Sequence, residues 1–260
     1  MANLVGIGII TCNRSALFDK CLQSVPDVDK IVVVNDGNEY PNSIYSSKPN
    51  DIIQHKTNMG VGRSKNDALK YLFRQNCKYI FLCEDDILIK NKNVCDEYIK
   101  LSEKSGLMHM NYAYHGPDNK DINGNPQPRK ILEGVSLNKH LLGAFSFYTD
   151  EIIKEIGYID EQFKNAYEHV DHTYQIIKAG YHPPFWWFAD LPDSSEYITD
   201  QHDYHQKSVI RRNMLLWKLN LRLNGYRFKI KNGFTPNKIP DYSVDEVLVS
   251  LHKIKALKGK

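Results

Sequence analysis

Three adjacent acids, Glu84, Asp85 and Asp86, stand between two apolar runs, Lys78-Tyr79-Ile80-Phe81-Leu82-Cys83 before them and Ile87-Leu88-Ile89 after. Carboxylates crowded at the end of a buried strand repel one another and lose hydration, so a cation or a strong donor has to neutralise them. Divalent ions such as Mn²⁺ or Mg²⁺ take hard oxygen ligands and often share their shell with phosphate oxygens. The triplet therefore points to a metal beside a diphosphate. A second group, Asn58-Met59-Gly60-Val61-Gly62-Arg63-Ser64-Lys65-Asn66, combines two glycines with two cations. A glycine-rich helix start presents unpaired N–H groups to an anion, and Arg63 or Lys65 could pair with phosphate charge.

Alternating strand and helix signals supply the scaffold for these groups. Leu4 to Thr11 is a near-continuous apolar segment with a polar end, as expected of a strand buried on both faces of a parallel sheet. Helical spacing follows between Ser15 and Ser24, stopped by Pro26. Ile31 to Val34 and Asp51 to His55 read as strands, Gly60 opens a helix with Ala68, Leu69, Leu72 and Phe73 on its apolar stripe, and Lys78 to Cys83 is the next strand. This order predicts an α/β fold with a mostly parallel, Rossmann-like sheet flanked by helices. Ligands of such sheets sit outside the carboxyl ends of the strands, where Thr11, Asp36, Asn58 and the acid triplet fall.

The Gly, Pro and Asn-rich stretch from Gly116 to Pro128 reads as a long loop or hairpin, and the chain is expected to divide into a nucleotide-binding half, 1–100, and an acceptor and catalytic half, 101–205. The second half is expected to contain a strand over Leu141 to Tyr148, a helix from Asp150 to Ile156, and another from about Glu168 to Ala179. A small C-terminal helical extension, 206–260, holds a basic helix from Lys207 to Arg222 and a final helix from Val244 to Leu257.

The 260 residues are 42% hydrophobic and 25% charged, enough to bury a sizeable core. A formal charge of +3 argues by itself for neither nucleic acid nor an anionic surface. The five cysteines form an odd set with no Cys-x-x-Cys pair, which fits a reducing compartment. Neither a basic and apolar leader nor an apolar run near the roughly 18 residues of a membrane span is present, so a soluble, cytoplasmic protein is expected.

The motifs Ile9-Ile10-Thr11-Cys12-Asn13-Arg14, Val33-Val34-Asn35-Asp36-Gly37, Asn58 to Asn66 and Glu84-Asp85-Asp86 together resemble the nucleotide-sugar-binding half of family 2 glycosyltransferases with the GT-A fold. The likeness continues through Gly143-Ala144-Phe145, Gly157 to Phe163 and the helix opening at Glu168, covering roughly residues 4 to 182. It implies an inverting transferase that uses a nucleotide-diphosphate sugar, typically UDP-linked, and Mn²⁺ or Mg²⁺, with a glycan or other hydroxyl acceptor in surface polysaccharide synthesis. Thr11, Asn13 and Arg14 would line the nucleotide pocket, Asp36 would bind the base, and Asn58 and Arg63 would contact nucleotide or diphosphate. The acid triplet matches the DXD element of that family. Asp86, with Glu84, would ligate the metal, Asp85 would face ribose or sugar, and His202 would add a third metal contact.

The catalytic base of that family lies in an acid pair at the helix start, where this chain reads Tyr167-Glu168-His169-Val170-Asp171-His172. Glu168 is the first candidate, His169 the second and Asp171 a supporting residue. Helical geometry sets Glu168, Asp171, His172 and Gln175 on one face, expected to look into the cleft. Transfer needs a carboxylate or imidazole to take the acceptor hydroxyl proton. One of Trp186 and Trp187 could stack on a sugar, and the basic C-terminal helix suits a membrane-surface contact, an acceptor phosphate or a second subunit. Two other classes remain open, a nucleotidyltransferase and a non-catalytic sugar-nucleotide or nucleic-acid binding protein.

Overall fold

A computed structural model describes residues 3–45, 49–201 and 214–257. The first half alternates as expected: β1 (Leu4–Thr11), α1 (Ser15–Ser24), β2 (Lys30–Asn35), β3 (Asp51–Gln54), α2 (Val61–Arg74), β4 (Cys77–Glu84) and β5 (Ile87–Ile89). There follow α3 (Val94–Ser105), β6 (His109–Asn111), β7 (Lys130–Leu132), β8 (Val135–Asn138), β9 (Phe145–Thr149), α4 (Asp150–Ile156) and α5 (Glu168–Lys178). The chain continues through β10 (Phe188–Asp190), α6 (Ser194–Tyr197), β11 (Ile198–Asp200), α7 (Met214–Asn232) and α8 (Val244–Leu257).

The central sheet has the order β3-β2-β1-β4-β9-β6. β1 pairs in parallel with β2 and β4, β2 in parallel with β3, and β9 pairs antiparallel with β4 and β6. Apolar runs such as Ile31-Val32-Val33-Val34 are buried on both faces, which is why they read as continuous rather than alternating. Gly6 and Gly8 let α2 lie close on β1: a Cβ at Gly6 would sit 2.7 Å from Leu72 Cδ2, and one at Gly8 2.6 Å from Ala68 Cβ. Two antiparallel sheets, β10-β8-β7 and β11-β5, flank the main one.

The second half departs from the sequence reading in two places: the basic helix expected over Lys207 to Arg222 runs on to Asn232, with its part before Met214 outside the described residues, and one strand starts late. The strand expected from Leu141 begins only at Phe145, because residues 141–144 run along the cavity described below, with the Gly143 carbonyl accepting from Lys65 and the Ala144 carbonyl from the Glu84 N–H. The stretch from Gly116 to Pro128 folds into a turn in which the Asp121 carboxylate accepts from the N–H groups of Asn123 and Asn125, and it leads into the β7–β8 hairpin. The C-terminal helices pack on the main body. Val247, Leu251 and Ile254 of α8 join the same buried cluster as Tyr98 and Phe147, and Phe228 of α7 packs with Phe163 and Phe185.

Candidate active site

The carboxyl ends of β1 and β4 and the first turn of α5 converge on a cavity of about 550 Å³. Thr11, Arg14, Asp36, Asn58, Glu84, Asp86, Glu168 and His169 line it, so eight of the residues singled out in the sequence meet in one space. Asn13, Arg63, Asp85 and Asp171 do not line it, and His202 lies outside the described residues.

Two cations of the chain meet the acids. Arg14 Nη1 donates to Asp86 Oδ2 at 2.8 Å, and Arg14 Nη2 pairs with Asp85 Oδ1. Thr11 Oγ1 donates to the other Asp85 oxygen at 2.6 Å. Burial pushes the Asp85 carboxyl up to about 7 even so, with Arg14 opposing and Asp86 adding to the rise. Lys65, only 2% exposed, places Nζ 2.9 Å from Glu84 Oε1, 3.3 Å from Glu168 Oε1 and 2.9 Å from the Gly143 carbonyl. The neutralisation for which the sequence reading favoured a divalent metal is thus supplied in part by Arg14 and Lys65.

Glu168 is 3% exposed. Burial disfavours its charged form, but His169 and Lys65 more than reverse this and hold the carboxyl down at about 2. Its Oε1 also accepts from His169 Nδ1 at 2.9 Å, whereas Oε2 is buried with no hydrogen-bond partner. The His169 ring lies against Gly143, where a Cβ would approach its Cγ and Nδ1 to 2.9 Å. A glycine there is what lets the imidazole enter the cavity wall.

Several expected ligand contacts are taken by protein. Asp36 accepts from the N–H groups of Met59 (2.7 Å) and Gly60 (2.8 Å) and contacts His55 Nδ1 at 2.7 Å, so its carboxylate fills the anion-binding turn expected to cradle phosphate. Asn58 Nδ2 donates to the Asp36 carbonyl at 3.1 Å. Arg63 turns away to Asp67 and Glu161, and Lys65 faces inward, so neither stands ready for phosphate as the sequence suggested. Asn13 Oδ1 accepts from the Asn38 N–H at 2.8 Å and shapes the loop after β2.

Of the α5 face expected to look into the cleft, Glu168, Asp171, His172 and Gln175, only Glu168 lines it. Asp171 is buried against α7, where Lys231 Nζ approaches Asp171 Oδ2 to 2.7 Å, and His172 donates from Nε2 to the Gly157 carbonyl at 3.1 Å. Trp186 donates to the Ile239 carbonyl and Trp187 stacks under the Arg129 guanidinium, so the aromatic run is structural. Trp217 of α7 lines the cavity instead.

His115 is a lining residue that the sequence reading missed. Its Nδ1 lies 2.7 Å from Asp200 Oδ1; burial works to lower its pKa, but the bond with Asp200 and the Asp86 and Glu84 charges outweigh it and raise it. A lone histidine before a loop carries no spacing signal. Only the fold brings β11 beside it.

A scan against known protein families finds no match. An uncharacterised glycosyltransferase, R363, of Acanthamoeba polyphaga mimivirus is 26% identical over 179 residues, which span 67% of this chain and 65% of that relative. Among solved structures, a mannosyltransferase from Pyrobaculum calidifontis, in complex with GDP-mannose and Mn²⁺, superposes with a TM-score of 0.58 at 12% identity over 97% of this chain and 69% of its own. TarS of S. aureus, residues 1–349, gives 0.56 at 16% identity over 96% and 71%. The fold is that of the GT-A glycosyltransferases. This chain is similar in sequence to a glycosyltransferase and in structure to proteins with that fold.

Among the described residues no three His, Cys, Asp or Glu side chains form a metal cage. Four carboxylates, Asp36, Glu84, Asp86 and Glu168, do line the cavity, and at the end of β4 the acids Glu84, Asp85, Asp86 and Glu168 stand against Arg14 and Lys65. That donor set fits a divalent ion completed by substrate oxygens and does not fit a self-sufficient protein site.

Proposed function

We propose that this protein is an inverting family 2 glycosyltransferase that moves a sugar from a nucleotide-diphosphate donor, UDP-linked, to a hydroxyl acceptor in glycan assembly. One observation carries the reading: Lys65 ties the strand-end acid Glu84 to Glu168, so the acids of β4 and the Glu168–His169 pair share one cavity wall. Asp86 and Glu84 would hold Mn²⁺ or Mg²⁺ together with the donor diphosphate. The ion supplies charge neutralisation for the departing nucleoside diphosphate.

The acceptor oxygen attacks the anomeric carbon as the bond from that carbon to the diphosphate oxygen breaks, and the hydroxyl proton passes to the base. Glu168, the first candidate from sequence, is buried and already holds Lys65 and His169 Nδ1. With Nδ1 committed to Glu168, the second ring nitrogen of His169 would take that proton. Glu168 then fixes the tautomer and orientation of the ring, as a carboxylate does for a catalytic histidine. Thr11 and Arg14 keep Asp85 and Asp86 in place, and Asn58 lines the nucleotide side.

The test is a panel of sugar nucleotides with Mn²⁺ or with chelator, followed by thermal stabilisation and donor hydrolysis. A UDP-sugar is expected to stabilise the protein only when the ion is present. Indifference to every donor in both conditions refutes the reading. His169→Ala is expected to retain donor binding and lose transfer.

A further inference from the structure

We propose that α7 docks this protein on an anionic lipid surface. Trp217, Leu221, Asn224 and Phe228 recur at helical spacing and form the inner face of the helix, the first two on the cavity and the last two buried. The opposite face carries Leu215, Leu219, Leu223, Tyr226 and Ile230 at the same kind of spacing. Their exposures run from 47% at Leu223 to 79% at Leu215, an apolar stripe about four turns long left open to water.

Charge selects the occupant. Lys218, Arg222 and Lys229 line one flank of that stripe, and the helix contains no acid. A second copy docking antiparallel through the same face would set these cations against their own kind across the two-fold axis. An acidic bilayer surface instead accepts leucines into its interface and pairs the cations with phosphate headgroups. No helix among the described residues is long and apolar enough to cross a membrane, so the geometry is one of lying on the surface. Because the inner face of α7 walls the cavity, the lipid surface and the candidate active site are separated by one helix.

Co-sedimentation with vesicles tests this without donor or turnover, so its outcome is independent of the transfer reaction. The full chain is mixed with phosphatidylcholine vesicles and with vesicles that also contain phosphatidylglycerol, at low and high salt. Binding is expected to the anionic vesicles and to weaken with salt. A basic side chain near such a surface is worth about five-fold in affinity, so Lys218→Gln with Arg222→Gln lowers it ~25-fold. Leu215→Gln with Leu219→Gln and Leu223→Gln abolishes it, with circular dichroism and thermal unfolding unchanged because these side chains are exposed. Absence of binding, equal binding to both vesicle types, or a wild-type dimer that the leucine variant dissociates overturns the proposal.

Discussion

Replacing Lys65 by methionine removes a charge that the fold has enclosed. In the wild type Nζ serves Glu84, Glu168 and the Gly143 carbonyl, all within 3.3 Å, from a side chain 2% exposed. The variant leaves Glu168 ionised in the interior with only His169 as partner. Breaking a buried pair in this way costs about 3–5 kcal/mol. At about 2–4 °C per kcal/mol for a chain of this size, the melting temperature falls by roughly 6–20 °C. Adding Glu168→Gln removes the stranded charge, so the double variant is expected to recover about 2 kcal/mol relative to the sum of the single losses.

The pH dependence has a defined sign. The Glu168 carboxyl is depressed to about 2 in the folded state from an ordinary 4.5, so its contribution is present above 4.5 and is lost as pH falls from there towards 2. The Lys65→Met deficit should therefore be full at pH 7 and smaller at pH 3. Urea unfolding followed by tryptophan fluorescence measures both. A single variant within about 1 kcal/mol of wild type, or single losses that simply add in the double variant, would refute the reasoning.

Gly143→Ala drives a methyl toward His169 and Lys65 Nζ, the latter 3.0 Å away, and is expected to lower transfer at saturating donor about ten-fold or more while donor binding persists. Asp171→Asn loosens α7 through Lys231, which is 36% exposed on its side chain. A loss of about 1–2 kcal/mol with transfer retained is expected, and loss of transfer without loss of stability would place Asp171 in the chemistry. His182 is buried between the Ala189 N–H and the Pro183 carbonyl, and burial lowers its pKa to about 4. Its contribution exists above 6.5 and fades between 6.5 and 4, so the stability difference between wild type and His182→Gln should shrink over that window. The comparison with the variant is needed because Asp85 and Asp190, raised to about 7 and about 6 by burial, oppose the trend in the whole molecule.

The sequence by itself determined the βα alternation of the first hundred residues and the strand ends at which polar groups gather. Doubly buried strands such as Ile31 to Val34 and helix stripes such as Ala68, Leu69 and Leu72 are local patterns, fixed by period and composition. It also marked Glu84, Asp86, Glu168 and His169 as residues of one chemistry. Tertiary structure decided their partners. Which cation meets which acid depends on chain segments far apart in sequence: Lys65 reaches Glu168, 103 residues away, and Arg14 reaches Asp86, 72 residues away. No spacing rule encodes such meetings. The same holds for Asp171, which helical periodicity put on a cleft-facing side until α7 covered it, and for His115, which Asp200 orients only after β11 pairs with β5. Local propensity sets what a segment becomes; burial, by removing water as a competing partner, sets what its charges must bind.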